Sequence, residues 1–246
     1  MTGHVPRVYL DETISAGQTL TLARERAHHL GTVLRRRAGD ALLLFNGDGR
    51  EYRARIEHLD RKSLRLTVEQ ALLPARESAL SITLIQGLAQ GDRMDYAIAK
   101  AVELGVQRIQ PAETRGVKNR LKGERLEKKL GHWRRVAISA AEQAGRLIVP
   151  PIEPPLALAD CLAAVSPDDG LGLVLDPASP TGLSGLSPAT RVTLIIGPEA
   201  GLTDAEISLA REGGFKAVSL GPRVLRTETA GPAALAALQT LWGDLG

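Results

Sequence analysis

Near the carboxyl end of the chain, the apolar run Leu194-Ile195-Ile196 breaks into Gly197-Pro198-Glu199-Ala200-Gly201 and leads directly to Thr203-Asp204-Ala205-Glu206. Glycines at such a junction let a ligand approach bare backbone, and loops after parallel strands are where α/β folds bind their ligands. Thr203 with Glu206 three residues on forms a capping box, which sets the start of a helix. Phosphate is the usual guest at a helix N-terminus. Here Glu199 and Asp204 would repel it, and neither G-x-x-x-x-G-K-[ST] nor G-x-G-x-x-G is present. The carboxylates suit a ligand with hydroxyls, amines or positive charge. Taken alone, the loop fits a tight turn with sterically required glycines slightly better than a site.

A second stretch repeats the arrangement. Ser219-Leu220-Gly221-Pro222-Arg223-Val224-Leu225-Arg226-Thr227-Glu228-Thr229-Ala230 runs from a short apolar segment through Gly-Pro into a polar loop and a helix start. Arg223 and Arg226 bracket two apolar residues, and Thr227, Glu228 and Thr229 offer hydroxyls and a carboxylate. Two strand–Gly-Pro–loop–helix units in tandem can line one pocket. Arg226 as an ion-pair partner of Glu228 is the alternative at this point.

These loops need a frame. Strands are expected at 81–88, 170–176, 191–197 and 216–221, with a short one in Val106–Glu113. Helices are expected at 92–105, with Met94, Ile98, Ala101 and Val102 on one stripe, at 121–144, at 203–212 and at about 228–242. Alternation of this kind predicts a mainly parallel α/β sheet. Residues 1–73 read instead as β: a short alternating segment at 18–22, strands at 41–45, 51–58 and 63–69, and a hairpin turn at Asn46-Gly47-Asp48-Gly49. A short helix is expected in 23–40. The division is therefore a small β-barrel domain at 1–73 and an α/β domain at 74–246, joined by a linker around Pro74.

At 246 residues, 43% hydrophobic and 24% charged, the composition is that of a globular protein. No apolar run reaches the length of a membrane span, the N-terminus lacks the layout of a signal peptide, and the single cysteine, Cys161, excludes an internal disulfide. A cytoplasmic location is expected. The net charge of +3 hides an asymmetry: residues 1–74 carry +3, residues 75–150 carry +6 and residues 151–246 carry −6. Nine Lys/Arg against two Glu fall within 115–135, a concentration that fits a polyanionic partner and equally a solvated helix face.

Together, "IGPEAGLTDAEI" and "SLGPRVLRTETA" resemble the SPOUT-class RNA methyltransferases, and more narrowly the RsmE-type family that methylates N3 of a uridine in 16S (small-subunit) ribosomal RNA. "GDRMDYAIAKAVELGV", "AEQAGR", "HHLGTVLRRRAGD" and "LFNGDGREY" extend the match, in order, over nearly the whole chain. The resemblance implies a C-terminal knotted parallel-sheet domain with a trefoil knot, an N-terminal PUA-like barrel that contacts RNA, a homodimer, and S-adenosylmethionine (SAM) held by the knotted loops. It places Leu175, Ile196, Gly197, Pro198, Glu199, Gly201, Leu220, Gly221, Leu225, Arg226, Thr227 and Ala230 around the cofactor. Two positions depart from the pattern. Ala200 stands where a second glycine is usual, which costs about 1 kcal/mol if that position needs positive φ. Gln90 stands where a lysine is common.

Methylating uridine N3 requires loss of its proton, so the reaction needs a base, or cationic donors that stabilise the charge spread over O2 and O4. Arg93, Arg146 and Arg226 are candidates for the cationic role, because a guanidinium is planar and stays charged. Glu142 and Glu199 are candidates for the base. Neither a metal nor a covalent nucleophile is called for. The target base must be unpaired or flipped out, and aromatics at only 3% leave charge and shape as the main grip. Arg7, Arg35, Arg36 and Arg37 on the barrel, with Lys118, Arg120 and Lys122 on the α/β domain, are expected phosphate contacts, for either naked 16S rRNA or the assembled small subunit. Two rivals share the cofactor loops: an RNA-binding protein with decayed loops, and a ribose 2′-hydroxyl methyltransferase.

Overall fold

The computed structural model describes residues 5–22, 30–31, 35–60, 63–115, 121–166 and 170–246. The core of the expected helix in 23–40, together with Lys118 and Arg120, lies outside the described residues. The chain forms two compact units, one of residues up to Glu77 with Ala141–Ile148, the other of Ser78–Ala140 and Val149–Gly246.

The first unit is a five-stranded half-barrel sheet. Its strands are β1 (Arg7–Tyr9), β2 (Thr19–Leu22), β3 (Ala41–Phe45), β4 (Glu51–Leu59) and β5 (Leu64–Leu72), in the order β1-β3-β4-β5-β2. Alternation of buried and exposed residues over Tyr52–Glu57 of β4 points Ala54 and Ile56 inward and Arg53, Arg55 and Glu57 to solvent. Leu20, Leu42, Leu44, Leu64, Leu66 and Val68 complete the core. The predicted hairpin turn is closed by its own side chains: Asn46 Oδ1 accepts from Asp48 N, Asp48 Oδ1 from Arg50 N, and Asp48 Oδ2 from Tyr52 OH at 2.5 Å.

Ala141–Ile148 joins this unit although 141–144 belong to a long helix, and no periodicity in the sequence announces that. The anchor is Arg7. Its Nε donates to Glu51 at 2.7 Å, while Nη1 and Nη2 donate to the carbonyls of Ala141 and Arg146 at 3.0 and 2.8 Å. The guanidinium also lies 4.6 Å from the centre of the Phe45 ring. Buried polar groups are tolerated only when hydrogen-bonded, and this one is.

The second unit is one parallel sheet flanked by helices. It comprises β6 (Ser81–Gly87), α1 (Asp92–Glu103), β7 (Arg108–Glu113), α2 (Gly123–Ala144, whose last turn belongs to the first unit), β8 (Leu156–Ala157), α3 (Leu158–Ala163), β9 (Leu171–Leu175), β10 (Arg191–Ile196), α4 (Asp204–Glu212), β11 (Lys216–Val218) and α5 (Thr227–Trp242). The strand order β11-β9-β10-β6-β7-β8 is parallel throughout. β10 therefore sits between β9 and β6, which explains the buried apolar run Leu194-Ile195-Ile196 at its carboxyl end. α1 buries Met94, Ala97, Ile98, Ala101 and Val102.

Two expectations shift. The strand expected at 216–221 ends at Val218, because Ser219 turns to donate its N–H to Thr181 O at 2.8 Å and Gly221 then adopts φ 93°. The pair β8–α3 was not predicted: two strand residues and a six-residue helix are too short to show a period.

Candidate active site

A cavity of about 400 Å³ opens at the carboxyl ends of β9, β10 and β11, within the size range of small-molecule sites. Leu175, Ile196, Gly197, Pro198, Glu199, Gly201, Leu220, Leu225, Thr227 and Ala230 of the sequence-derived set all line it. Gly221 and Arg226 of that set do not. Asp176, Asp204 and Arg223 also line it; Asp204 and Arg223 belong to the two motif stretches though not to the set the resemblance names, while Asp176, just after β9, lies in no motif.

The loops are held at close range. A Cβ on Gly197 would lie 2.9 Å from Leu202 N, and one on Gly87 would lie 2.6 Å from Pro198 N. Only glycine at the end of β6 lets the β10 loop rest on it. Gly201 takes the left-handed position of this loop at φ 75°. Arg35 is the only non-glycine with positive φ among the described residues, so Ala200 carries no such strain. Thr227 then ties three segments: its hydroxyl donates to Gly197 O at 2.6 Å and accepts from Gln86 Nε2 at 3.1 Å. α4 starts at the predicted capping box, with Thr203 N donating to Glu206 at 2.8 Å and Glu206 N to Thr203 Oγ1 at 3.3 Å.

Glu199 is an ionised clamp. It accepts from Gln90 N at 2.7 Å and from Arg93 Nη1 at 3.1 Å. Burial pushes its carboxyl up, but the amide of Gln90, its own amide and the Arg93 guanidinium outweigh this and hold it below the usual 4.5. Since the Gln90 contact is made by backbone, the missing lysine there costs this interaction nothing. Arg93 Nε also faces Glu228 at 3.8 Å, so Glu228 pairs with Arg93 and not, as the sequence allowed, with Arg226. Arg226 is exposed at the N-cap of α5.

The remaining predicted residues separate. Arg146 and Glu142 lie in the first unit, while Arg93, Glu199 and Arg226 lie in the second. The Arg146 side chain is 4% exposed and is gripped by Glu77 at 2.6 Å, and Glu142 accepts from Tyr9 N at 2.9 Å. Arg146 is thereby corrected from a catalytic cation to a structural one, because its charge is already spent on Glu77. Arg7 is corrected likewise from a phosphate contact: its side chain is 4% exposed and bound to Glu51. Arg35, Arg37 and Lys122 are exposed and Arg36 is half-buried.

Charge decides what the cavity suits. Asp176, Glu199 and Asp204 stand against one arginine, Arg223, so the lining favours a cationic ligand over a phosphate. Asp176 is itself fixed, accepting from Ala178 N at 2.9 Å and Arg211 Nη2 at 3.3 Å. Among the described residues no group of His, Cys, Asp or Glu is placed to hold a metal ion, and no helix is long and apolar enough to cross a membrane.

Comparison with known proteins defines the class first. Residues 76–239 match the RNA methyltransferase domain model and residues 22–69 the RNA methyltransferase PUA domain model. The half-barrel is thus PUA-like, and the parallel-sheet unit is of the SPOUT methyltransferase type. The ribosomal RNA small subunit methyltransferase E of Buchnera aphidicola is 32% identical over 98% of this chain and 95% of its own, and that of Rickettsia conorii 32% over 96% and 95%. The crystal structure of the Neisseria gonorrhoeae ribosomal RNA small subunit methyltransferase E bound to S-adenosyl methionine superposes with a TM-score of 0.92, at 39% identity over 99% of this chain and 100% of that one. The chain belongs to the ribosomal RNA small subunit methyltransferase E family.

Proposed function

We propose that this protein is a SAM-dependent methyltransferase that methylates N3 of a uridine in 16S ribosomal RNA. The observation that carries the proposal is the acid-lined cavity built on two Gly-Pro loops, in a chain whose relatives are named as small-subunit ribosomal RNA methyltransferases, one of them bound to S-adenosyl methionine. When bound there, SAM supplies a methyl group activated by a sulfonium. A cation of this kind fits a lining of three carboxylates and one guanidinium. Leu175, Ile196, Gly197, Leu220, Leu225, Thr227 and Ala230 would hold it mainly by apolar walls and backbone. Asp176 and Glu199 would supply negative charge that nearby N–H groups and arginines keep in place.

Glu199 belongs to this binding role more than to that of a base, since a carboxylate held below its usual pKa accepts protons poorly. Arg226, exposed beside the cavity-lining Leu225 and Thr227, is the residue we assign to the developing uracil anion, its fork facing two acceptors. Arg93, already between two carboxylates, positions Glu199. We further propose that the PUA-like unit and the basic segment around Lys122 grip RNA through Arg35, Arg36, Arg37, Lys118, Arg120 and Lys122, and that the α/β unit is threaded as a trefoil knot. A homodimer acting in the cytoplasm on the 16S rRNA or the assembled subunit completes the reading. The test is methyl transfer to small subunits, and to naked 16S RNA, from cells lacking the protein, followed by digestion to nucleosides. 3-Methyluridine is the expected product; a ribose-methylated nucleoside or no transfer would overturn the proposal.

A further inference from the structure

The same parallel sheet has a second recess, at its other end. On the face covered by α3 and α4, the carboxyl halves of the strands are apolar: Ile85, Ile195, Val174 and Ala112 pack under Leu158, Cys161, Leu162 and Phe215. The amino halves are not. Ser81 and Thr83 on β6 stand in register beside Arg191 and Thr193 on β10, and β7 adds Arg108 and Gln110. Interior parallel strands ordinarily carry continuous apolar runs, so this cluster of hydroxyls, an amide and two guanidinium groups on three adjacent strands is a departure that packing alone does not require. α3 has only six residues and does not roof this part of the sheet. A recess of about 420 Å³ remains, lined by these six polar residues and closed on one side by Cys161, Ala164 and Val165.

The hydrogen-bonding state of the lining is informative. Thr193 is 4% exposed, yet none of the described contacts engages its hydroxyl, nor those of Ser81 and Thr83. Arg191 has no ion-pair partner among the described residues. Arg108 holds Glu153 at 3.1 Å. Gln110 spends its amide N–H on the carbonyls of Pro111 and Pro154. Three free hydroxyl donors beside a free guanidinium therefore converge on one space, with Glu153 as the competing carboxylate. Cys161 brings no charge there, since burial, with the charge of Asp160, pushes its thiol up to about 11.

We propose that this recess binds a phosphate group, with Arg191 as its charged anchor and Thr83 and Thr193 as its hydroxyl donors. Phosphate is favoured over carboxylate because a tetrahedral phosphoryl group spreads its oxygens in several directions, matching donors that come from three strands, while a carboxylate's oxygens lie in one plane. The site is distinct from the cofactor cavity: Arg191 and Ile196 mark the two ends of β10, about 17 Å apart at the rise of a parallel strand. Its phosphate comes either from a small phosphorylated molecule or from the phosphodiester backbone of RNA.

The test uses the full chain and calorimetric titration with inorganic phosphate, with uridine 5′-monophosphate and with a short single-stranded RNA lacking terminal phosphates. Saturable binding of the first two probes, or of the RNA, is expected and assigns the source. Arg191→Ala and Thr193→Val should each weaken that binding by roughly tenfold or more and leave SAM affinity unchanged. Arg191 is exposed and Thr193→Val keeps the side-chain shape, so both variants should fold, which circular dichroism checks. No saturable binding of any probe, or binding that both variants retain, would overturn the assignment.

Discussion

At the carboxyl end of β10 the chain makes its cavity from backbone: glycines at 87, 197 and 201 bring two loops together, and Asp176, Glu199 and Asp204 set a negative lining. At the amino end of the same strand, side chains on the strands themselves make the recess, and its charged groups are Arg108 and Arg191. One element thus presents opposite charge at its two ends. The difference follows from geometry. Loops after parallel strands can present bare N–H and C=O groups to a ligand, while the strand interior has already used its backbone in the ladder and can offer only side chains. Local acid and base placement, not the modest net charge of +3, decides what each end accepts.

The contrast can be broken most severely by Arg226→Ala. Methyl transfer should fall by about a hundred- to a thousandfold, with SAM affinity little changed in calorimetry; full turnover would remove Arg226 from the reaction. Gly87→Ala comes next. Its new Cβ would meet the backbone of Pro198 and Gly197 at 2.6 and 2.9 Å, so the loop must move, and a displacement of that order costs about a hundredfold in function. SAM affinity unchanged in this variant would mean that the backbone contact does not shape the cavity.

A smaller effect concerns pH. The Glu199 carboxyl titrates lower in the folded protein than its ordinary 4.5, so the stabilisation from its contacts is complete above that value and is lost as pH falls through the lower, folded value. SAM affinity should be flat from neutrality to about pH 5 and weaken only in more acid solution. Glu199→Gln should abolish this acid limb in a calorimetric pH series; a limb that persists belongs to another group.

The smallest effect lies at the wall of the phosphate recess. The Cys161 thiol is pushed from 9.0 to about 11 by burial and then by Asp160. Above pH 9 the unfolded chain sheds this proton first, so stability should decline between pH 9 and 11, by at most about 3 kcal/mol, and be level below. Denaturant titrations of wild type and Cys161→Ala isolate the contribution: the alkaline decline should be shallower in the variant.

Much of this architecture was legible in the sequence because it rests on local rules. The stripe of Met94, Ile98, Ala101 and Val102 marked α1, the Thr203–Glu206 box set the start of α4, and the apolar run before Gly197 marked β10. Ten of the twelve residues assigned to the cofactor by resemblance line one cavity, because both loops carry their glycines and prolines in contiguous motifs. Arg7 and Arg146 were misread for the opposite reason. An arginine looks the same in sequence whether it faces solvent or a buried carboxylate, and Glu51 and Glu77 are 44 and 69 residues away in the chain. Gly87 escaped notice as well, since its need is for space against Pro198, a residue from another strand's loop.

The sequence by itself determined the alternation of strands and helices, the capping of α4, the absence of an internal disulfide and the family to which the chain belongs, all of which depend on residue counts, on residues close together or on motifs in fixed order. Only the tertiary structure decided which charges are spent, that Arg93 and Gln90 clamp Glu199, that Ala141–Ile148 belongs with the first unit, and that six polar side chains from three strands share one recess. Those facts depend on strand register and burial, which bring together residues that the chain keeps far apart.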